Sequence, residues 1–260
     1  MIRAVFFDID GTLVSFKTHE VPSSARKALF ELHEKGIRLF IATGRAKGGL
    51  EVLKDLPFDG YITLNGQFCF DADGNVLYEN TIVKEDLEVL LSEIEKDPFP
   101  AGFVMRDSKV FNFRDERVDA IHAITHNDNH PAGDVSHVLE ESIYQVMSFV
   151  DEEREKQLLE KMPHCTSGRW HPLFTDISPI GGTKVRGIDV FLKHHGISLD
   201  ETMAFGDGGN DFEMLEYVPH SVAMGNAPDF VKAIASYVTD DVDHDGLAAA
   251  FRHFGMIGSS

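Results

Sequence analysis

The hydrophobic pattern of the chain changes character twice. Over the first eighty residues, short apolar runs alternate with segments of helical period. Ala4–Phe7 is a continuous apolar run, the pattern of a strand buried on both faces. Ser23–Lys35 carries Ala25, Ala28, Leu29 and Leu32 on one stripe, begins after Pro22 and stops at Gly36, which predicts a helix. Ile37–Ala42 and Tyr61–Leu64 read as further strands. A helix over Lys47–Leu56 lies between them, weakened near its start by Gly48 and Gly49. This βαβαβ order predicts a parallel sheet with helices on its faces.

From Gln67 the pattern changes to hairpins. Gln67–Phe70 and Val76–Glu79 flank an Asp73-Gly74 turn, and Phe103–Met105 and Lys109–Phe113 flank Asp107-Ser108. Helices are expected over Lys84–Lys96, Val118–Thr125 and Glu152–Lys161, strands over Ile143–Val150, Thr166–Trp170 and Phe174–Ile177, and a polar loop over Asn127–Ser136. Strands that pair through turns, with helices between the pairs, make an α+β plan. After Gly181-Gly182 the βα alternation returns, with helices over Lys184–His195, Asp211–Tyr217, Asp229–Ala235 and Leu247–His253. Strands at Met203–Phe205, Ser221–Met224 and Tyr237–Thr239 separate them. The expected architecture is therefore α/β: a doubly wound parallel-sheet domain, residues 1–82 and 182–260, interrupted by an inserted α+β domain, residues 83–181.

Charge narrows the partners. The 260 residues carry a formal net charge of −19, so a nucleic-acid-coating role is excluded for want of a basic footprint. An anionic substrate would have to meet local cations or a bound metal. With 43% hydrophobic and 26% charged residues the composition is that of a soluble globular chain. No apolar run approaches the ~20 residues of a membrane span, and no signal-like segment opens the chain. Cys69 and Cys165 lack metal-ligand spacing and read as buried reduced thiols, which fits a cytoplasmic protein.

The candidate chemistry lies where predicted strands end. Asp8-Ile9-Asp10-Gly11-Thr12 follows the first strand, and in an extended segment Asp8 and Asp10 project together. Alone, this could be no more than an Asp-Gly turn. Thr43-Gly44-Arg45 follows the second strand, where a hydroxyl and helix-start amides can hold phosphate, although Thr43 could simply cap a helix. Lys184 opens a helix, a place that disfavours a cation unless an anion is near. Gly206-Asp207-Gly208-Gly209-Asn210-Asp211 follows a later strand. Ligands bind at the carboxyl ends of strands in doubly wound sheets, so all four segments could meet at one edge. Asp8, Asp10, Asp207 and Asp211 would then gather negative charge that a hard cation such as Mg²⁺, with oxygen ligands, would neutralise.

These motifs, in this order, resemble those of the haloacid dehalogenase superfamily, and more narrowly its Cof-like subclass IIB phosphatases; Ile62–Gly66 and the position of the insertion are similar too. The resemblance spans the whole chain. It implies a Rossmann-like core, with the inserted domain as a cap that closes over the site. It implies Asp8 as the nucleophile that becomes an aspartyl-phosphate and Asp10 as general acid and base. It implies Mg²⁺ held by Asp8, the Asp10 carbonyl and Asp207, with Asp211 orienting the metal's waters. Thr43, Gly44, Lys184, Asn210 and the Ile9 amide would grip the phosphoryl group, and Arg45 could face the substrate. The implied partner is a small phosphate ester, most simply a sugar phosphate, for a monomer or small homo-oligomer that needs neither nucleic acid nor membrane. A phosphotransferase or mutase would use the same intermediate, and pyridoxal phosphate or a nucleotide are other substrates to weigh.

Softer signals sit in the insertion. Arg169 and Asp176 are candidates for substrate contact, and Trp170 is expected to pack in the insertion's core. His122, His126 and His130 fall at four-residue spacing, with His137 beyond. Their setting of Asn127, Asp128, Asn129 and Pro131 favours a solvated segment over a metal site.

Overall fold

A computed structural model describes residues 1–125 and 132–258. In chain order the first elements are β1 (Ala4–Phe7), α1 (Ser23–Glu34), β2 (Arg38–Ala42), β3 (Gly60–Thr63), β4 (Phe68–Asp71) and β5 (Val76–Glu79). Then come α2 (Lys84–Lys96), β6 (Ala101–Val104), β7 (Lys109–Phe111), α3 (Glu116–Thr125), β8 (Gln145–Ser148), α4 (Glu152–Lys161), β9 (Cys165–His171) and β10 (Phe174–Pro179). The last are α5 (Lys184–His195), β11 (Thr202–Gly206), α6 (Phe212–Tyr217), β12 (His220–Ala223), α7 (Asp229–Lys232), β13 (Tyr237–Val238) and α8 (Gly246–His253). The chain divides into two compact units, one of Met1–Arg45, Gly49–Glu79 and Thr183–Ser260, the other of Ala46–Gly48 and Asn80–Gly182.

The first unit is built on an eight-stranded sheet of order β13-β12-β11-β1-β2-β3-β4-β5. The strands from β13 to β3 are parallel, and the β4–β5 hairpin adds an antiparallel edge. Alternation along the central strands divides the core in two. Val5, Phe7, Leu39, Ile41, Met203 and Phe205 face α1 and α8, meeting Ala25, Leu29 and Phe251. Ala4, Phe6, Phe40 and Ala204 face α5 and α6, meeting Ile188, Phe191, Met214 and Leu215. Each fully buried Phe contributes roughly 1.5–3 kcal/mol relative to exposure, so β1 anchors the fold despite its length of four residues.

Two local departures from the sequence expectations have clear causes. Lys47–Leu53 is a 3₁₀ segment, not an α-helix, because Gly48 and Gly49 disfavour regular helix at its start and Pro57 follows closely. The third strand ends at Thr63, because Leu64 and Asn65 both take left-handed backbone, with φ of 52° and 53°.

The second unit carries a five-stranded antiparallel sheet of order β7-β6-β8-β10-β9. Leu87, Leu90 and Leu158 of α2 and α4 pack with Phe103, Val146 and Ile177 on one face. Val118 and Ile121 of α3 pack with Phe111, Met147, Phe149 and Phe174 in a second cluster. His122 is buried on α3 and edge-on to the Phe111 ring, not solvated as expected, because the helix directs it inward beside Val118 and Ile121. His126 and His130 lie outside the described residues, and His137 is exposed. Trp170 corrects another expectation: it is 57% exposed. It lies on edge strand β9 and meets Phe174 edge-on, and Phe174 fills the core position instead.

Candidate active site

The parallel register sets the site. Strands β11, β1 and β2 lie side by side, so the segments following them emerge at one sheet edge. Asp8 continues the ladder, its amide donating to the Phe205 carbonyl at 3.0 Å. The chain then turns sharply: the Leu13 and Val14 amides donate back to the Ile9 carbonyl at 2.9 and 2.8 Å. Ile9 thus buries its side chain in the core while its backbone shapes the loop. Gly11 has a φ of +80°, and a Cβ there would lie 2.2 Å from Asp207 Oδ2, so the turn needs glycine twice over.

Lys184 is the hub. Thr183 caps α5 by accepting from the Arg186 amide, which puts Lys184 in the first turn. Its Nζ donates to Asp8 Oδ1 at 2.7 Å and to Asp211 Oδ1 at 2.5 Å, all three side chains being buried. Asp211 Oδ2 accepts from the Asp207 and Gly208 amides at 2.9 and 2.8 Å, which folds the Gly206–Asp211 turn back on itself. Asp211 therefore secures the turn ahead of α6 and does not cap that helix with its side chain. Carboxylate oxygens of Asp8, Asp207 and Asp211 all lie within 4.8 Å of one another.

Three buried carboxylates lie close together, and the one ammonium among them contacts two, Asp8 and Asp211. Burial, then the Asp211 charge, raises the Asp8 carboxyl well above its ordinary value. Burial also pushes Asp207 up to about 6. Burial alone would lower Lys184, but Asp211 and Asp8 outweigh it and raise the ammonium to about 12. A cluster with net negative charge and hard oxygen donors fits a divalent cation. Asp8, Asp207 and Asp211 are the residues that could hold it.

The remaining core residues frame this centre. Asp10 is gripped by Arg45, which donates to both of its carboxylate oxygens. Thr43 is buried, with its Oγ1 accepting from the Arg45 amide at 3.1 Å. The turns after β2 and β3 are stitched together, the Asn65 amide donating to Thr43 O and the Leu64 amide to Arg45 O. Gly44 lies against the Asn65 side chain, whose Oδ1 accepts from Asn210 Nδ2 at 3.1 Å. Thr43, Gly44, Asn65 and Asn210 thus gather into one polar group. Thr12 and Asn65 lie within the sequence motifs but carry no role there, and Asn226 lies outside them; all three are further functional candidates. The signal available for Asn226 was its place just after a strand end, as for the other motifs.

Arg169 and Asp176 belong to the second unit and differ from each other. Arg169 is engaged: Nη2 is 2.5 Å from Glu155 Oε2 and donates to the Val150 carbonyl, and Nη1 donates to Pro172 O. Asp176 accepts from the Trp170 indole at 3.2 Å, and burial raises its carboxyl to about 6.

A buried carboxylate triad beside one lysine, at the carboxyl edge of a doubly wound sheet, suits the binding of a phosphoryl group. The chain belongs to the haloacid dehalogenase-like hydrolases, whose family model matches residues 5–251, and within them it is a Cof-like, subclass IIB phosphatase. It is 34% identical over 258 residues to the Bacillus subtilis protein YkrA, named as an inferred phosphatase, with 98% of each chain covered. The solved phosphatase BT1666 of Bacteroides thetaiotaomicron superposes with a TM-score of 0.91 at 36% identity, covering 99% of this chain and 96% of that one. BT4131, described as a subclass IIB sugar phosphatase, gives 0.85 at 42% identity, covering 98% of this chain and 100% of that one.

Proposed function

We propose that the protein is a Mg²⁺-dependent phosphomonoesterase that acts on small phosphorylated metabolites, sugar phosphates foremost, through an aspartyl-phosphate on Asp8. The observation that carries this reading is the double contact of Lys184 with Asp8 and Asp211 inside the carboxylate triad. Lys184 engages Asp8 Oδ1, which leaves Oδ2 to attack phosphorus. A P–O bond forms to Asp8 as the P–O bond to the substrate's alcohol breaks, and Asp10 gives the leaving oxygen its proton. Asp10 then takes a proton from water as the water oxygen attacks phosphorus. The Asp8–phosphorus bond breaks, releasing inorganic phosphate and restoring the carboxylate. Thr43, the loop amides at Ile9 and Gly44, Asn210 and Lys184 supply donors to the phosphoryl oxygens.

Asp8, Asp207 and the Asp10 carbonyl would hold the cation, with Asp211 behind them; when bound, it neutralises phosphoryl charge that the acidic chain would otherwise repel. In the second unit, Asp176 is the stronger candidate for specificity, because Arg169 is already held by Glu155 and backbone carbonyls. Sugar phosphates are preferred as substrates because BT4131 bears that description at 42% identity.

A phosphate-release screen over hexose and pentose phosphates, nucleotides and pyridoxal phosphate, with Mg²⁺ or with EDTA, tests the proposal. Metal-dependent release that Asp8→Asn abolishes is the expected result. Wild type no better than Asp8→Asn on every substrate would overturn it.

A further inference from the structure

Asp207 differs from its two neighbours in the triad. Lys184 donates to Asp8 and Asp211, whereas the side-chain donors on Asp207 are both neutral. Thr12 Oγ1 donates to Oδ1 at 2.9 Å, and Asn226 Nδ2 donates to Oδ2 at 2.9 Å. Each carboxylate oxygen therefore keeps lone-pair capacity for a further partner.

Asn226 is itself fully determined. Its Nδ2 also donates to the Gly11 carbonyl at 2.9 Å, and its Oδ1 accepts from the Val242 amide at 3.2 Å. Gly11 O can only accept and the Val242 amide can only donate, so the side-chain amide has one permitted orientation. The backbone beneath it is equally constrained. The Met224 amide donates to Gly206 O, the Gly225 amide donates to Asp240 O, and a Cβ on Gly225 would lie 2.6 Å from the Asp241 nitrogen. Asn226 follows β12, Asp207 follows β11 and Gly11 follows β1, three adjacent strands of the sheet. One amide thus ties the loop bearing Asp8 and Asp10 to the aspartate at the end of the next strand.

We propose that Asn226 is a positioning residue for the divalent cation: without touching it, Asn226 fixes Asp207 and the Gly11 turn in the arrangement that binds it. This rests on the metal-dependent reading above. Loss of such outer partners typically weakens metal binding by about 10–100-fold.

The test is calorimetric titration of Mg²⁺ alone into EDTA-stripped, dialysed full-length protein, with Mn²⁺ binding followed by electron paramagnetic resonance in parallel. Asn226→Ala removes both donors, and Asn226→Asp keeps the shape but sets an acceptor against Asp207 and Gly11 O. Both should raise the Mg²⁺ Kd by about 10–100-fold, Asn226→Asp the more. Thr12→Val, which removes the donor to the other Asp207 oxygen, should move it in the same direction and covers the case in which the Asn226 variants do not fold. Circular dichroism and Tm in EDTA separate misfolding from a selective loss of binding. Wild-type Mg²⁺ binding left unchanged by variants that fold overturns the role of Asn226 and leaves the metal reading standing. A wild type that binds neither metal overturns both.

Discussion

Arg45 forks onto Asp10: Nε lies 2.9 Å from Oδ2 and Nη2 lies 2.7 Å from Oδ1, while Nη1 donates to the Gly49 carbonyl at 2.7 Å. The two parallel bonds fix the plane of the carboxylate, which an ammonium cannot do. If Asp10 moves protons at the leaving oxygen, its plane matters to the reaction. Arg45→Lys should therefore lower kcat by about 10–100-fold, an effect of misplacement. Asp10→Asn should lose about 10²–10⁴-fold on alkyl phosphates, for want of the proton itself. Steady-state kinetics at saturating Mg²⁺ distinguish the two; equal kcat values for wild type and both variants would contradict the assignment.

Lys184→Met leaves Asp8 and Asp211 buried without their shared cation. Breaking a buried pair in this way costs about 3–5 kcal/mol. Denaturant unfolding in EDTA should show that loss, and phosphatase activity should vanish. Added Mg²⁺ should restore more stability to this variant than it adds to wild type, because it takes over the missing charge.

Asp207 predicts a pH dependence of the metal-free protein. Its folded-state value of about 6 exceeds that of an unfolded aspartate, so the native state binds the extra proton. Its contribution to stability is then present at low pH and is lost as pH rises from about 4 through about 6. Unfolding in EDTA across that window should show a steeper loss in wild type than in Asp207→Asn, which keeps only the contributions of the raised Asp8 and Asp176 carboxyls. With Mg²⁺ the sign should reverse, since the cation binds the ionised carboxylate.

Trp170 is the single tryptophan of the chain, and its indole donates to Asp176 Oδ2 at 3.2 Å. Asp176 titrates near 6 because it is buried. Intrinsic fluorescence should therefore change with pH around a midpoint of about 6, and Asp176→Asn should abolish the transition. A flat wild-type profile would contradict the environment described for this pair.

Gly66 has a φ of +102°, and a Cβ there would lie 2.0 Å from the Thr183 carbonyl oxygen, at the residue that caps α5. Gly66→Ala should destabilise by at least about 1–3 kcal/mol through backbone strain, more with the clash. It should also reduce activity by displacing Lys184. Thermal unfolding and kcat together check it; a variant with unchanged Tm and kcat would contradict the close approach.

Much of this architecture is written locally. Lys84–Lys96 and Lys184–His195 are legible as helices because stripe and end signals coincide. Asp8, Thr43 and Asp207 are legible as companions because each follows an apolar strand of one parallel sheet. What escaped the sequence depends on partners distant along the chain. Asn226 meets Gly11 across 215 positions, and Asn210 meets Asn65 across 145. No local pattern carries that information. The exposure of Trp170 has a related cause: the β9–β10 register shifts between Phe174 and Asp176, and pairing, not alternation, decides which ring is inside.

The central position of β1 has a consequence for synthesis. Its partners are β2, which follows within about thirty residues, and β11, with Ala4 set beside Thr202. A chain emerging from the ribosome can assemble β1 to β5 early, yet one edge of β1 must wait for Thr202, more than a hundred residues beyond β5. Until then Ala4–Phe7 presents unpaired backbone and buried-type side chains to any other nascent strand. Asp8 would meanwhile lack Lys184, Asp207 and Asp211. Catalytic competence and protection from aggregation thus arrive together, at one late closure of the sheet.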